Sequence, residues 1–137
     1  MAQPTGISAD EQNRLLEAAL AAQKRAYAPY SKFHVGAALL TESGHVYTGC
    51  NVENASYGLT NCAERTAIFS AVAAEGPEMK VRAVAVTNAA QVPCSPCGAC
   101  RQVIFEFGPN ATVVFQGQKG FVSRTARDLL PSGFSLL

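Results

Sequence analysis

An α/β fold, a three-layer α/β/α sandwich around a mixed five-stranded sheet, is predicted by three observations. Short apolar runs suited to buried strands alternate with longer helical stretches, the pattern of helices packed on both faces of a sheet. Glycine and proline punctuate the boundaries between these stretches. The chain's 137 residues, 48% hydrophobic and 15% charged, suffice for one substantial core and suit a single domain over 1–137.

In chain order, Ser8 and Glu11 have the spacing of a capping box. The helix that follows is expected to bury Leu15, Leu16, Ala19, Leu20 and Ala22, and to end before Pro29. Residues 34–41 read as a buried strand, 42–44 as a turn and 45–51 as the antiparallel partner. Asn61 is the expected cap of a helix running to about Glu75, stopped by Gly76 and Pro77. A β-branched strand over 81–87 precedes a second helix opened by Ser95 and Pro96 and closed by Gly108 and Pro109. Residues 111–116 and 120–123 complete the strands, and 125–130 form a last helical segment.

Composition excludes several function classes. Eleven basic residues against ten acidic ones give a net charge of +1, with no basic run longer than Lys24-Arg25. Sequence-independent nucleic-acid binding needs clustered Lys and Arg, so a small-molecule substrate is expected and no nucleic-acid partner. No run of about eighteen apolar residues offers a membrane span, and residues 1–11 carry no signal-peptide core. Five cysteines, an odd number, fit a reducing cytoplasm better than a disulfide framework.

The chemistry sits in Cys62-Ala63-Glu64 and Pro96-Cys97-Gly98-Ala99-Cys100. Each motif opens a helix, where free N–H groups and the helix dipole favour thiolate over thiol. Three thiolates would hold one Zn²⁺ per chain and leave a position open for water, with Glu64 placed to move its protons. A ligand followed at two residues by Glu, then Pro-Cys-x-x-Cys, is the signature of zinc deaminases. Three thiolates leave the site net negative, which Arg65 and Arg101 are near enough in sequence to offset.

Other readings compete. Cys97-x-x-Cys100 alone suits a redox pair, which leaves Cys62 and Glu64 unexplained. Cys94-x-x-Cys97 also has metal spacing, and a closed structural zinc module using Cys94 would have no use for Glu64. Glu64 stands three residues after Asn61, where a capping-box glutamate would stand. Cys50, on an apolar strand, reads as a small buried residue. His34 and His45 belong to no spaced ligand pair.

Beyond the metal motifs, the chain resembles the small homotetrameric cytidine deaminases from about Leu15 to Phe134. The resemblance rests on Tyr27-Ala28-Pro29-Tyr30-Ser31-Lys32-Phe33, Val35-Gly36-Ala37-Ala38, Asn51-Val52-Glu53-Asn54-Ala55-Ser56-Tyr57-Gly58, Cys62-Ala63-Glu64-Arg65 and Ser95-Pro96-Cys97-Gly98-Ala99-Cys100-Arg101-Gln102, with Leu129-Leu130-Pro131 and Phe134 closing the chain. It implies zinc on Cys62, Cys97 and Cys100, with Glu64 as proton shuttle. It also implies Asn51 and Glu53 on the ribose hydroxyls, Phe33 against the pyrimidine, backbone near Ala63 on the base edge, and Arg65 on the zinc-bound sulfurs. Phe134 resembles the aromatic that enters a neighbouring subunit's site.

Read without the resemblance, Asn51 and Glu53 have the donors and acceptors a diol needs and share one face of an extended strand end. Turn hydrogen bonds would suit Asn51 and Asn54 equally well, Phe33 could be a core aromatic and Phe134 a cap on the C-terminal core. The small residues Ala67, Ser70, Ala71, Ala73 and Ala74 allow close helix packing, in a tetramer or in a monomer. The implied activity is deamination of cytidine and 2′-deoxycytidine to uridine and 2′-deoxyuridine plus ammonia, in pyrimidine salvage. Deamination of a cytosine-containing nucleoside antibiotic is the nearest alternative.

Overall fold

The computed structural model describes residues 6–137; residues 1–5, part of the polar opening segment, lie outside the described residues. Helix α1, Ala9–Gln23, starts at the expected capping box, with Glu11 N–H donating to Ser8 Oγ and Ser8 N–H to Glu11 Oε1. Its buried stripe is Leu15, Ala19 and Ala22; Leu16 is only half-buried and Leu20 is 43% exposed, against expectation. The small residues explain the narrow stripe. Ala19 lies so close to the sheet that a Cβ on Gly36 would sit 2.0 Å from its carbonyl oxygen, and a helix this close presents few side chains inward.

One mixed sheet holds β1 (Val35–Thr41), β2 (Val46–Cys50), β3 (Val81–Asn88), β4 (Thr112–Gly117) and β5 (Gly120–Thr125), in the order β2-β1-β3-β4-β5. Only β3 and β4 run parallel. A parallel pair needs a crossover, which α3 (Gly98–Phe107) supplies. Helix α2 (Ala63–Glu75) links β2 to β3, and the short α4 (Ala126–Leu129) follows β5.

Strand β1 is apolar on both faces, as expected of a strand covered on both sides. Ala38 and Leu40 join Leu15 and Ala19 beneath α1, while Ala37 and Leu39 join Ile68 of α2 and Ile104 of α3 on the other face. The three layers are therefore α1, the sheet, and α2 with α3. Among the described residues no helix is long and apolar enough to cross a membrane.

Register gathers the chemistry at one end of the sheet. Val35 pairs with Asn88 and Gly36 with Cys50, so the start of β1, the end of β2 and the end of β3 lie side by side. Both motif helices begin one or two residues later than expected: their N-caps are Cys62 and Cys97, not Asn61 and Ser95-Pro96. Asn61 is held extended by paired backbone hydrogen bonds to Val52, both 2.9 Å. The Ser95 hydroxyl is taken by Arg101 Nη2 at 2.9 Å. Each cap position falls to the next residue free to take it, and that residue is a cysteine.

Candidate active site and metal centre

The sulfurs of Cys62, Cys97 and Cys100 lie within 4.8 Å of one another, with Cys62 and Cys97 4.0 Å apart. Tetrahedral zinc with bonds near 2.3 Å brings its thiolates to about 3.8 Å from each other, so the set fits that ion. As N-caps, Cys62 and Cys97 stand at the positive ends of two helices, and Cys100 is buried in the first turn of α3. The Cys100 thiol, hydrogen-bonding to the Cys62 sulfur, pulls Cys62 down to about 5, aided by the Arg65 guanidinium. The same contact raises Cys100.

Arg65 donates from Nη2 to Cys62 Sγ at 3.2 Å, and its Nε is buried with no hydrogen-bond partner among the described residues. Arg65 thus sets a cation directly against the Cys62 sulfur. Arg101 does not: its nitrogens donate to Pro96 O at 2.7 Å, Leu129 O at 2.9 Å and Ser95 Oγ at 2.9 Å. It braces the loop leading into Cys97 rather than balancing sulfur charge. Cys94 is not in the sulfur cluster; its backbone is bridged to Gln116, with N–H to O at 2.9 Å. A closed four-sulfur site therefore finds no support among the described residues. Cys50, half-buried at the end of β2, is likewise outside the cluster.

Glu64 is 5% exposed. With Cys62 as the N-cap, Glu64 is the second residue of α2 and not the third, so the capping-box reading fails. Burial pushes its carboxyl up to about 7, and the charge of Cys62 adds to that against its own backbone N–H. Ala63, fully buried, opens the helix; a backbone N–H there has no intrahelical acceptor.

The remaining predicted residues converge on residues 30–35. Asn51 accepts from Val35 N at 2.9 Å and donates to Phe33 O at 2.8 Å. Glu53 accepts from Tyr30 N at 2.9 Å and Ser31 N at 3.2 Å through Oε1, and from the Ser31 hydroxyl through Oε2. The Ser31 hydroxyl, with the two backbone bonds, holds Glu53 below the usual carboxylate value. Of the two asparagines in the plainer reading, Asn54 makes a turn bond, accepting from Ser56 N at 2.9 Å. Asn51, like Glu53, instead reaches back along the chain to hold the backbone around Phe33. A cleft of about 230 Å³ opens beside Glu53, lined by Tyr30, Ser31, Glu53, Asn54, Tyr57 and Thr60. Phe134 stands apart, 67% exposed, its carbonyl 3.5 Å from Gln102 Nε2.

Two organising residues escaped the sequence reading. Asn88, buried at the end of β3, closes the 88–92 loop by donating to Val92 O at 2.9 Å and accepting from Val92 N at 3.0 Å. Gly49 lies under α2, where a Cβ would meet Ala67 N at 2.4 Å and Ala63 O at 2.6 Å. A glycine inside an apolar strand is the signal of such a close approach.

Residues 9–116 match the family described as the cytidine and deoxycytidylate deaminase zinc-binding region. A cytidine deaminase of Halalkalibacterium halodurans is 49% identical over 127 residues, covering 91% of this chain and 95% of that protein. The crystal structure of cytidine deaminase from Burkholderia pseudomallei superposes with a TM-score of 0.81 at 55% identity, covering 89% of this chain and 98% of that one. That of the Mycobacterium tuberculosis enzyme gives 0.79 at 41% identity, covering 90% and 97%. With these matches, and with three cysteine sulfurs positioned to hold a metal ion beside a buried glutamate, the chain is a member of the zinc-dependent cytidine deaminase family.

Proposed function

We propose that this chain hydrolyses the exocyclic amine of cytidine and 2′-deoxycytidine, giving the uracil nucleosides and ammonia, as one catalytic domain working in cytoplasmic pyrimidine salvage. The observation that carries the reading is the buried Glu64 carboxyl beside three clustered cysteine sulfurs. Cys62, Cys97 and Cys100 would hold the zinc, which when bound would act as the Lewis acid that makes water nucleophilic at neutral pH.

The chain's own residues do the rest. Glu64 accepts the proton of the attacking water, delivers it to N3 of the base, and passes a second one to the departing amine. Burial, which disfavours its charged form, suits a carboxyl that must both take up and return a proton. Arg65 steadies the thiolate charge by donating to Cys62 Sγ. The Ala63 backbone at the head of α2 meets the edge of the base, and Phe33 packs on its face.

For the sugar, the unused hydrogen-bond capacity matters. Asn51 has spent one acceptor lone pair and one N–H on the 33–35 backbone, leaving one of each. Glu53 has filled Oε1 with two N–H groups and half of Oε2 with a hydroxyl, leaving one acceptor. Together they still offer a sugar hydroxyl a donor and two acceptors, and Glu53 presents its acceptor at the wall of the 230 Å³ cleft.

Self-association as a homotetramer belongs to the same reading. Ser70, Ala73 and Ala74 face outward from α2, and Tyr27, Val52, Leu59 and Phe69 are exposed apolar groups. Phe134, projecting from its own chain, is suited to completing a neighbour's site. The test is product chromatography with ammonia detection on cytidine and 2′-deoxycytidine. Both are expected to yield their uracil nucleosides with equimolar ammonia; turnover of neither would refute the proposal.

A further inference from the structure

Ser31 lies in the 27–33 motif, of which only Phe33 has so far been given a role, and its hydroxyl sits between two groups of the proposed site. It donates to Glu53 Oε2 and accepts from Phe33 N–H at 3.0 Å. Both partners fix the direction of the chain of bonds: an amide can only donate, and an ionised carboxylate can only accept. A single hydroxyl thus links the carboxylate proposed to hold the sugar to the backbone of the aromatic proposed to hold the base.

The segment between them is constrained at every step. Ser31 N–H and Tyr30 N–H bind the other oxygen of Glu53. Lys32 adopts a left-handed conformation, φ 62°, with its N–H donating to Ala28 O at 3.0 Å. A non-glycine residue persists there only where its surroundings hold it. Asn51 then takes the Phe33 carbonyl at 2.8 Å. Ser31 also lines the 230 Å³ cleft itself.

We propose that Ser31 is a positioning residue for sugar recognition: its hydroxyl locks Glu53 in the orientation that leaves one Oε2 acceptor facing the cleft, and ties that orientation to Phe33. The proposal rests on the sugar-binding role given to Glu53 above. Without the hydroxyl, Oε2 loses the bond that holds it and the carboxylate can rotate about its backbone-bound oxygen. The loss falls on substrates whose sugar hydroxyls need Oε2.

Steady-state kinetics of the zinc-loaded full chain test this, with Ser31→Ala, Ser31→Thr and Glu53→Gln each measured on cytidine and on 2′,3′-dideoxycytidine. A lost bond to a charged acceptor is expected to raise KM for cytidine about tenfold in Ser31→Ala, with kcat within about twofold. On 2′,3′-dideoxycytidine the KM increase should shrink below about twofold, and Ser31→Thr, which keeps a hydroxyl, should restore most of the cytidine KM. A purely structural role for Ser31 would raise KM equally on both nucleosides, and that result overturns the proposal, as does an unchanged cytidine KM. Glu53→Gln separates the two levels. If it discriminates between the sugars while Ser31→Ala does not, only the Ser31 proposal falls. If Glu53→Gln itself affects both nucleosides alike, the sugar reading fails and takes the Ser31 proposal with it.

Discussion

At the scale of single residues, the site is built from groups placed where they are costly. Glu64 is the clearest case, its carboxyl raised from an ordinary 4.5 to about 7 by burial. Below pH 4.5 folded and unfolded chains are both protonated at this position and it costs nothing. Between 4.5 and 7 the unfolded chain releases its proton while the folded one retains it, so stability falls as pH rises. The full loss, roughly 3 kcal/mol, is present above pH 7. Zinc-free Glu64→Gln should therefore be more stable than the zinc-free parent at pH 8, by up to about that amount, and equal to it near pH 4. Denaturant titrations at the two pH values check this, and a constant difference would contradict it. Cys94 makes a second residue-scale test: because it lies outside the sulfur cluster, Cys94→Ser should retain one zinc per chain by metal analysis.

Arg101 shows where reading along the chain stops. Its nearness in sequence to Cys97 and Cys100 suggested charge balance, but its partners are carbonyls and a hydroxyl, one of them at Leu129, 28 residues away. Lysine at this position cannot reproduce three divergent bonds. Arg101→Lys is expected to release zinc to a competing chelator about tenfold faster than the parent, while retaining its fold by circular dichroism. Release at the parent rate would mean that the brace does not act on Cys97.

At the scale of elements, two helices are aimed by their caps, and one of them, α2, is set in depth by a glycine. The cysteine motifs were legible because ligand and acid lie within a few residues of each other on one helical turn. The cap positions were misplaced because Asn61 and Ser95, good caps by residue type, are already engaged: the Asn61 backbone pairs with Val52 outside its helix, and the Ser95 hydroxyl is taken by the Arg101 side chain. Leu20 was placed in the core by its apolar character, yet Ala19 and Ala22 bring α1 too close to the sheet for it to be covered. Gly49 fixes the depth of α2 through backbone contact with Ala63 and Ala67. Gly49→Ala should cost about 1–3 kcal/mol in stability and weaken zinc binding as well, since Ala63 adjoins Cys62. Gly44→Ala is the control. It strains a left-handed turn residue, φ 95°, with open space around it, so it should lower Tm and leave zinc affinity unchanged.

At the scale of the whole molecule, the order β2-β1-β3-β4-β5 brings three strand ends together beside the N-termini of α2 and α3. That convergence is why motifs from residues 27–33, 51–58, 62–65 and 95–102 meet in space, although alternation of helix and strand alone could not have paired them. Alternation did foreshadow the layers, since strands apolar on both faces demand cover on both. The proposed homotetramer has a direct check in light scattering. Tetramer mass is expected, and Phe134→Ala should lower kcat/KM without altering that mass. A monodisperse, fully active monomer would remove Phe134 from the site.

The central claim, that Glu64 moves protons beside zinc held on three cysteines, is tested most directly by the absorbance loss on adding cytidine. The zinc-loaded chain and Glu64→Ala are compared after metal analysis of each. The account predicts rapid conversion by the parent, at least about 10²–10⁴-fold less by the variant, and one zinc per chain in both. A variant that turns over near the parent rate, or a parent that holds zinc and leaves cytidine untouched, would contradict it.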